Sequence, residues 1–330
     1  MLVSERKDTD MKKTIAIGMI CILLLSVLGC SAAKKDDTAV RIAGMTGPTS
    51  MGLVKLMEDR KEDETYVFSI FGSADEVTPK LVKGELDIAA VPANLASVLY
   101  NNTEGEIRLL AVNTLGVLYI VEKGNSISSI ADLKGKTVYA TGKGSTPEYT
   151  LRYILEKNGI DPDKDLTLEF KSEPAEVVSV LAGEQEAVAM LPQPYVTVAM
   201  GKVEGLHIAV DLTEAWEKLD NGSTLVTGTF VVRKEFLDAH PEKVKEFLDG
   251  YGDSVEWVLS NAQEAAPLME KAGIVKADVA EKALPYCNLV FLAGEDMKEP
   301  VEGYLTVLFE QNPKAIGGQL PGDDFYCIMK

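Results

Sequence analysis

Gly84-Glu85-Leu86-Asp87-Ile88-Ala89-Ala90-Val91-Pro92 is the stretch on which the fold turns. It ends a helix-like segment at glycine, enters a continuous apolar run and stops at proline, the pattern of a short strand buried on both faces. The same plan returns at Gly183-Glu184-Gln185-Glu186, which leads through a second apolar run to Pro192. Glu76-Val77 and Leu81 precede the first copy, Glu176-Val177 and Leu181 the second, and Val98 and Val198 follow them. Two units of one design, separated by a constant interval with a single-residue slip, constitute an internal repeat.

The surrounding chain alternates strands with helices. Val40 and Ile42, Tyr66–Phe71 and 87–91 read as strands, with helices around Met51–Met57, 75–83 and 94–100. Residues 109–121 are extended, broken near Asn113-Thr114-Leu115-Gly116, and are expected to cross to a second unit. There Thr137–Ala140 and 166–170 read as strands and Thr146–Lys157 and 175–182 as helices, the last closed by Gly183. After 207–211, the run 228–232 is expected to lead back to the first unit, and helical patterns dominate from Pro241 onward. The pattern predicts βαβ units around mainly parallel sheets, arranged as two α/β lobes. The first lobe is expected to hold 39–114 plus 226–330 and the second 115–225.

Two loops open helices in matching places, Ala43 to Ser50 (Ala-Gly-Met-Thr-Gly-Pro-Thr-Ser) and Ala140 to Pro147 (Ala-Thr-Gly-Lys-Gly-Ser-Thr-Pro). Helix starts leave N–H groups unpaired and favour negative charge, so both loops suit an anionic ligand. Ligands of open α/β sheets bind at the carboxyl ends of strands. That criterion selects Thr46, Thr49, Ser50, Ser73, Ala93 and Asn94 in the first half. In the second half it selects Gly144, Ser145, Thr146, Gln193 and Tyr195. Lys143 reads as a solvated loop lysine. Tyr195 with Asp75 or Glu148 would suit a flat pyrimidine instead.

The charge balance narrows the partners. A formal net charge of −18 argues against nucleic acid and anionic membrane surfaces, whose recognition needs clustered lysine and arginine. With 46% hydrophobic and 25% charged residues the chain can bury a sizeable core. At the N-terminus Lys12-Lys13 and the apolar run 14–28 form a signal peptide spanning residues 1–29, with 1–10 an upstream extension if Met11 is the true start. Ser26-Val27-Leu28-Gly29-Cys30 resembles a bacterial lipobox, with leucine where alanine or serine is usual. The resemblance implies a lipidated Cys30, followed by a polar tether over 30–38. Cys287 and Cys327 remain for the extracytoplasmic part, either bridged or as two buried free thiols.

Together, the lipobox, Gly47-Pro48-Thr49, the 84–89 run before Pro92, Asp132-Leu133-Lys134-Gly135-Lys136 and Gly144-Ser145-Thr146 resemble the solute-binding lipoproteins of ABC importers. The likeness is to the nitrate, sulfonate, taurine and thiamine-pyrimidine binders and runs from about Ala39 to the C-terminus. It implies a type II periplasmic-binding-protein fold with two lobes and two crossover strands. It also implies a small polar or anionic ligand in the cleft, a permease and its ATPase as partners, and a monomer without cofactor or metal.

Enzyme readings fare poorly. His207 lies in a strand pattern and His240 precedes Pro241, neither beside a nucleophile. Gly135-Lys136-Thr137 imitates the end of a Walker loop, but Ile130 stands where its first glycine belongs. A thiamine-pyrimidine-synthase-like enzyme on the same fold and a ligand-sensing lipoprotein are the alternatives.

Overall fold

The computed structural model describes residues 38–329. The signal segment, Cys30 and the tether through residue 37 therefore lie outside the described residues. β1 (Val40–Met45) leads through the short helices α1 (Pro48–Met51) and α2 (Val54–Asp59) to β2 (Tyr66–Phe71). α3 (Ala74–Val82), β3 (Ile88–Pro92), α4 (Ala93–Asn102) and β4 (Ile107–Leu115) follow. The next section holds β5 (Leu118–Lys123), β6 (Thr137–Ala140), α5 (Thr146–Lys157), β7 (Thr167–Phe170), α6 (Pro174–Gly183), β8 (Ala187–Pro192), α7 (Tyr195–Lys202), β9 (Leu206–Asp211) and α8 (Leu212–Glu217). The chain ends with β10 (Val226–Arg233), α9 (Lys234–Ala239), α10 (Pro241–Ser260), α11 (Ala262–Lys271), α12 (Ala277–Ala283), β11 (Leu289–Ala293) and α13 (Lys298–Gln311).

These strands form two sheets, ordered β11-β4-β10-β3-β1-β2 and β7-β6-β8-β5-β9. Parallel pairing holds within β2-β1-β3 and β7-β6-β8, as βαβ units require. Each sheet also contains a strand running against them at the same place: β10 pairs antiparallel with β3, and β5 with β8. The repeat read from sequence is thus a repeat of register. Ile42 lies opposite Ile88 and Val138 opposite Val188, while Pro92 pairs with Gly228 and Pro192 with Leu118.

The outward crossover is Gly116-Val117, between β4 of the first sheet and β5 of the second. Glycine is required at 116 because a Cβ there would come within 2.2 Å of Thr213 Oγ1 on α8. The return runs from β9 to β10. β11, which the sequence reading does not predict, adds an irregularly paired edge strand to the first sheet.

Packing follows the amphipathic patterns. α10 buries Val244, Phe247, Tyr251, Val255 and Val258, while Trp257 lies off that face with Lys55 Nζ 5.4 Å from its ring centre. Phe230 of β10 meets the edges of Phe247 and Tyr251, with ring centres 5.4 and 4.9 Å away, a geometry favoured by the aromatic quadrupole. The helix starts at Pro241, and His240 caps it through its backbone carbonyl, which accepts from Lys243 and Val244.

Cys287 and Cys327 are both free, which overturns the bridged alternative. The physical reason is their placement in separate apolar clusters, Cys287 under α11 and α12 and Cys327 under α10. Burial pushes their thiols up to about 12 and about 11, so thiolate is scarce at neutral pH. A chain begun at Thr38 is expected to resist Ellman's reagent when native and to titrate both thiols once unfolded; prompt labelling of the native protein would contradict this burial.

A candidate ligand cleft between the two sheets

At the carboxyl ends of the parallel strands of both sheets lies a cavity of about 380 Å³. Met45, Thr46 and Thr49 approach from beyond β1, Gly72 from β2 and Pro92 from β3. Thr141, Ser145 and Thr146 face them from beyond β6, Ser172 and Glu173 from β7, and Pro192 and Tyr195 from β8. The crossovers supply Val117, Leu118 and Thr227. Pairing each sheet with its antiparallel strand at equivalent places brings the two sets of strand ends face to face.

The hydroxyls divide into engaged and unengaged groups. Thr46 Oγ1 lies 3.5 Å from Gly72 O and hydrogen-bonds the Tyr195 side chain across the cleft. Ser145 Oγ donates to Gly142 O at 2.8 Å. Thr49 Oγ1 and Thr227 Oγ1 are buried and have no hydrogen-bond partner among the described residues, although both residues line the cavity. A buried hydroxyl left so costs about 1–3 kcal/mol, which a polar ligand would recover.

The two glycine-rich loops are less available to an anion than their sequences imply. Gly144 N donates to Glu148 Oε2 (2.7 Å), Ser145 N to Gly142 O (3.1 Å) and Thr146 N to Asn94 Oδ1 (2.9 Å). Pro48, Pro147 and Pro174, which have no N–H, occupy the first two positions of α1, α5 and α6. Glu148 is held by Arg152 Nε at 2.9 Å and lies outside the lining, as do exposed Lys143 and Asp75.

Other candidates from the sequence have different surroundings. Asn94 is buried: its Oδ1 accepts from Thr146 N and Oγ1 (3.1 Å), and its Nδ2 donates to Ala315 O at 2.9 Å. It therefore ties α4 to α5 instead of lining the cavity. Ser50 turns onto β1, where a Cβ on Gly44 would come within 2.3 Å of its Oγ. Ser73 is the exposed residue before α3, Ala93 is packed in the core, and Gly144 is exposed with a φ of 73°. Gln193 Oε1 accepts from Thr197 Oγ1 at 2.9 Å, and the residue borders a separate open groove of about 870 Å³ along α7 and α12.

Thr141, Ser172, Glu173 and Thr227 line the cleft without having been expected there. The repeat contains the signal for one of them. Shifting Ser73 by the interval between Pro92 and Pro192 arrives at Glu173.

Residues 53–283 match the family model described as "ABC transporter, phosphonate, periplasmic substrate-binding protein". The chain belongs to this family. A Brucella abortus protein named as a binding protein is 24% identical over 271 residues, 81% of each chain. Among solved structures, an ABC transporter protein of Parabacteroides distasonis superposes with a TM-score of 0.72 at 24% identity, covering 89% of this chain and 99% of that one. The periplasmic aliphatic sulphonate binding protein SsuA of Escherichia coli gives 0.68 at 17%, covering 85% and 96%. These neighbours share the periplasmic-binding-protein fold, two α/β lobes joined by crossover strands. The family is one of extracytoplasmic ABC-importer solute-binding proteins, and among the described residues no helix is long and apolar enough to cross a membrane.

Proposed function

We propose that this solute-binding protein captures a small polar molecule in the cleft between a first lobe, 39–114 plus 226–330, and a second lobe, 115–225. Delivery to a membrane permease powered by its ATPase would follow, with the protein acting as a monomer anchored through lipid on Cys30. The observation that carries this reading is the pair of buried, unpartnered hydroxyls, Thr49 and Thr227, in a cavity lined from both sheets. Thr46, Ser145, Thr146 and Tyr195 complete the set of expected residues along it.

Thermal-shift measurements against sulfonates, nitrate, pyrimidines, flavins and amino acids, with native mass spectrometry of the purified protein, test the reading. A solute at one hundred times its Kd stabilises by about 2.7 kcal/mol through mass action. Thr49→Val and Thr227→Val are each expected to weaken a hit by about 1 kcal/mol, roughly fivefold in Kd, with the far-UV spectrum unchanged. Unchanged affinity in both variants would move the site elsewhere, and turnover without a stable complex would overturn the function.

A further inference from the structure

We infer that the solute is an organic cation, an amine or quaternary ammonium with a compact apolar body, whose positive nitrogen meets Glu173. The inference rests on the cleft being the solute site, and it departs from the phosphonate and sulfonate ligands named for the family and for SsuA. Among the described residues lining the cavity there is no lysine, arginine or histidine, and Glu173 is the only carboxylate. Its carboxylate makes no cap bond to α6 and has no hydrogen bond or ion pair among the described residues, so it is available at the mouth of the cavity.

The basic side chains nearby lie outside the lining, Lys143 exposed on the loop between Gly142 and Ser145. Lys171 Nζ is paired with Glu169 at 2.5 Å and lies over the Tyr139 ring, and Arg152 is shared between Glu148 and Asp163. Part of the backbone is engaged as well. The N–H groups of 144–146 already have partners, and proline opens each of three helices at the cleft. A compact anion would therefore meet an unpaired carboxylate and no basic side chain in the lining, inside a chain of net charge −18.

A cation finds the opposite conditions. Five prolines line the cavity together with Met45, Val117 and Leu118, a surface suited to methyl and methylene groups. Tyr195 offers an aromatic face for cation–π attraction; burial foremost, and then the Glu173 charge, raise its pKa against the opposing bond from Thr46, so the phenol stays neutral. Thr49, 7% exposed and unpartnered, supplies a hydroxyl for a neutral polar group elsewhere on the solute.

The test is a thermal-shift and calorimetric screen of the full chain with size-matched ammonium and anionic probes, including choline and butylammonium against ethylphosphonate and butanesulfonate. It is run on wild type, Glu173→Gln and Thr49→Val. We expect ammonium probes to stabilise the wild type, Glu173→Gln to weaken them at least tenfold, and the anions to leave all three proteins unmoved. Anions that bind, and bind more tightly to Glu173→Gln, would overturn the charge assignment while Thr49→Val sensitivity upheld the cleft. Hits insensitive to Glu173→Gln would do the same. Hits insensitive to every cleft variant, or no binding by any probe, would remove the cleft reading and the inference with it.

Discussion

Asp87→Ala is expected to lower the unfolding free energy by about 3 kcal/mol, the lower end of the usual effect of removing one partner of a buried ion pair, because the carboxylate is buried while Arg41 and Arg233 are 38% and 16% exposed. The Asp87 side chain is fully buried. Its Oδ2 accepts from Arg41 N (2.9 Å) and Nε (2.8 Å), and its Oδ1 from Arg41 Nη2 (2.6 Å) and Arg233 Nη2 (3.0 Å). One carboxylate thereby joins β1, the entrance to β3 and the end of β10, at the opposite end of the sheet from the cleft. Burial by itself would raise its pKa, but the hydrogen bonds from Arg41 and then Arg233 prevail and hold it below the usual carboxylate value.

The sign follows from linkage. A folded-state pKa depressed below the unfolded value of about 3.9 gives stability that is complete above that pH and is lost as pH falls through the folded value. Urea unfolding at pH 7 should therefore separate wild type from Asp87→Ala widely, and the gap should narrow below about pH 4. Solute affinity at pH 7 should be unchanged. Equal urea midpoints at pH 7 would show that the two arginines find solvent instead.

Trp216→Ala should cost a similar ~3–5 kcal/mol, through lost contacts and a large residual cavity. The indole is fully buried between Tyr153 of α5 and Tyr304 of α13, with ring centres 4.8 and 5.5 Å away. Its Nε1 donates to both Ser223 O and Ser223 Oγ at 3.2 Å. Tyr304, whose hydroxyl is 3.2 Å from Thr150 Oγ1, brings α13 onto α5, so this stack joins helices that follow β11 of the first sheet and β6 of the second. The loss should exceed that of Tyr304→Phe, which removes one hydrogen bond and about 1 kcal/mol. Denaturant unfolding followed by far-UV circular dichroism decides it; a Trp216→Ala loss below about 1 kcal/mol would mean that the helices repack around the gap.

The alternation of strands and helices was readable because apolar runs are bounded by glycine and proline, punctuation that acts locally. The repeat was readable because the same register is built twice. β11 was not, since five residues at a sheet edge following three helices carry little periodic signal. At the site, strand ends identified the loops but not the directions of side chains. Thr49 and Ser50 are neighbours in sequence, yet one faces the cavity and the other packs under Gly44. Asn94 and Thr146 satisfy one another across 52 residues of sequence, and no local rule announces a partner that distant. Glu173 was within reach, had the position of Ser73 been carried through the repeat.

The place of β10 has a consequence for how the chain is made. This strand lies between β3 and β4, yet the ribosome produces it only after every strand of the second sheet. When β9 has emerged, the second sheet possesses all its members. The first still has a gap at its centre, bordered by the apolar edges of 88–91 and 109–112. The lobe begun first is thus completed last, and its open edges are the nascent chain's hazard for mispairing until Val226–Arg233 arrives.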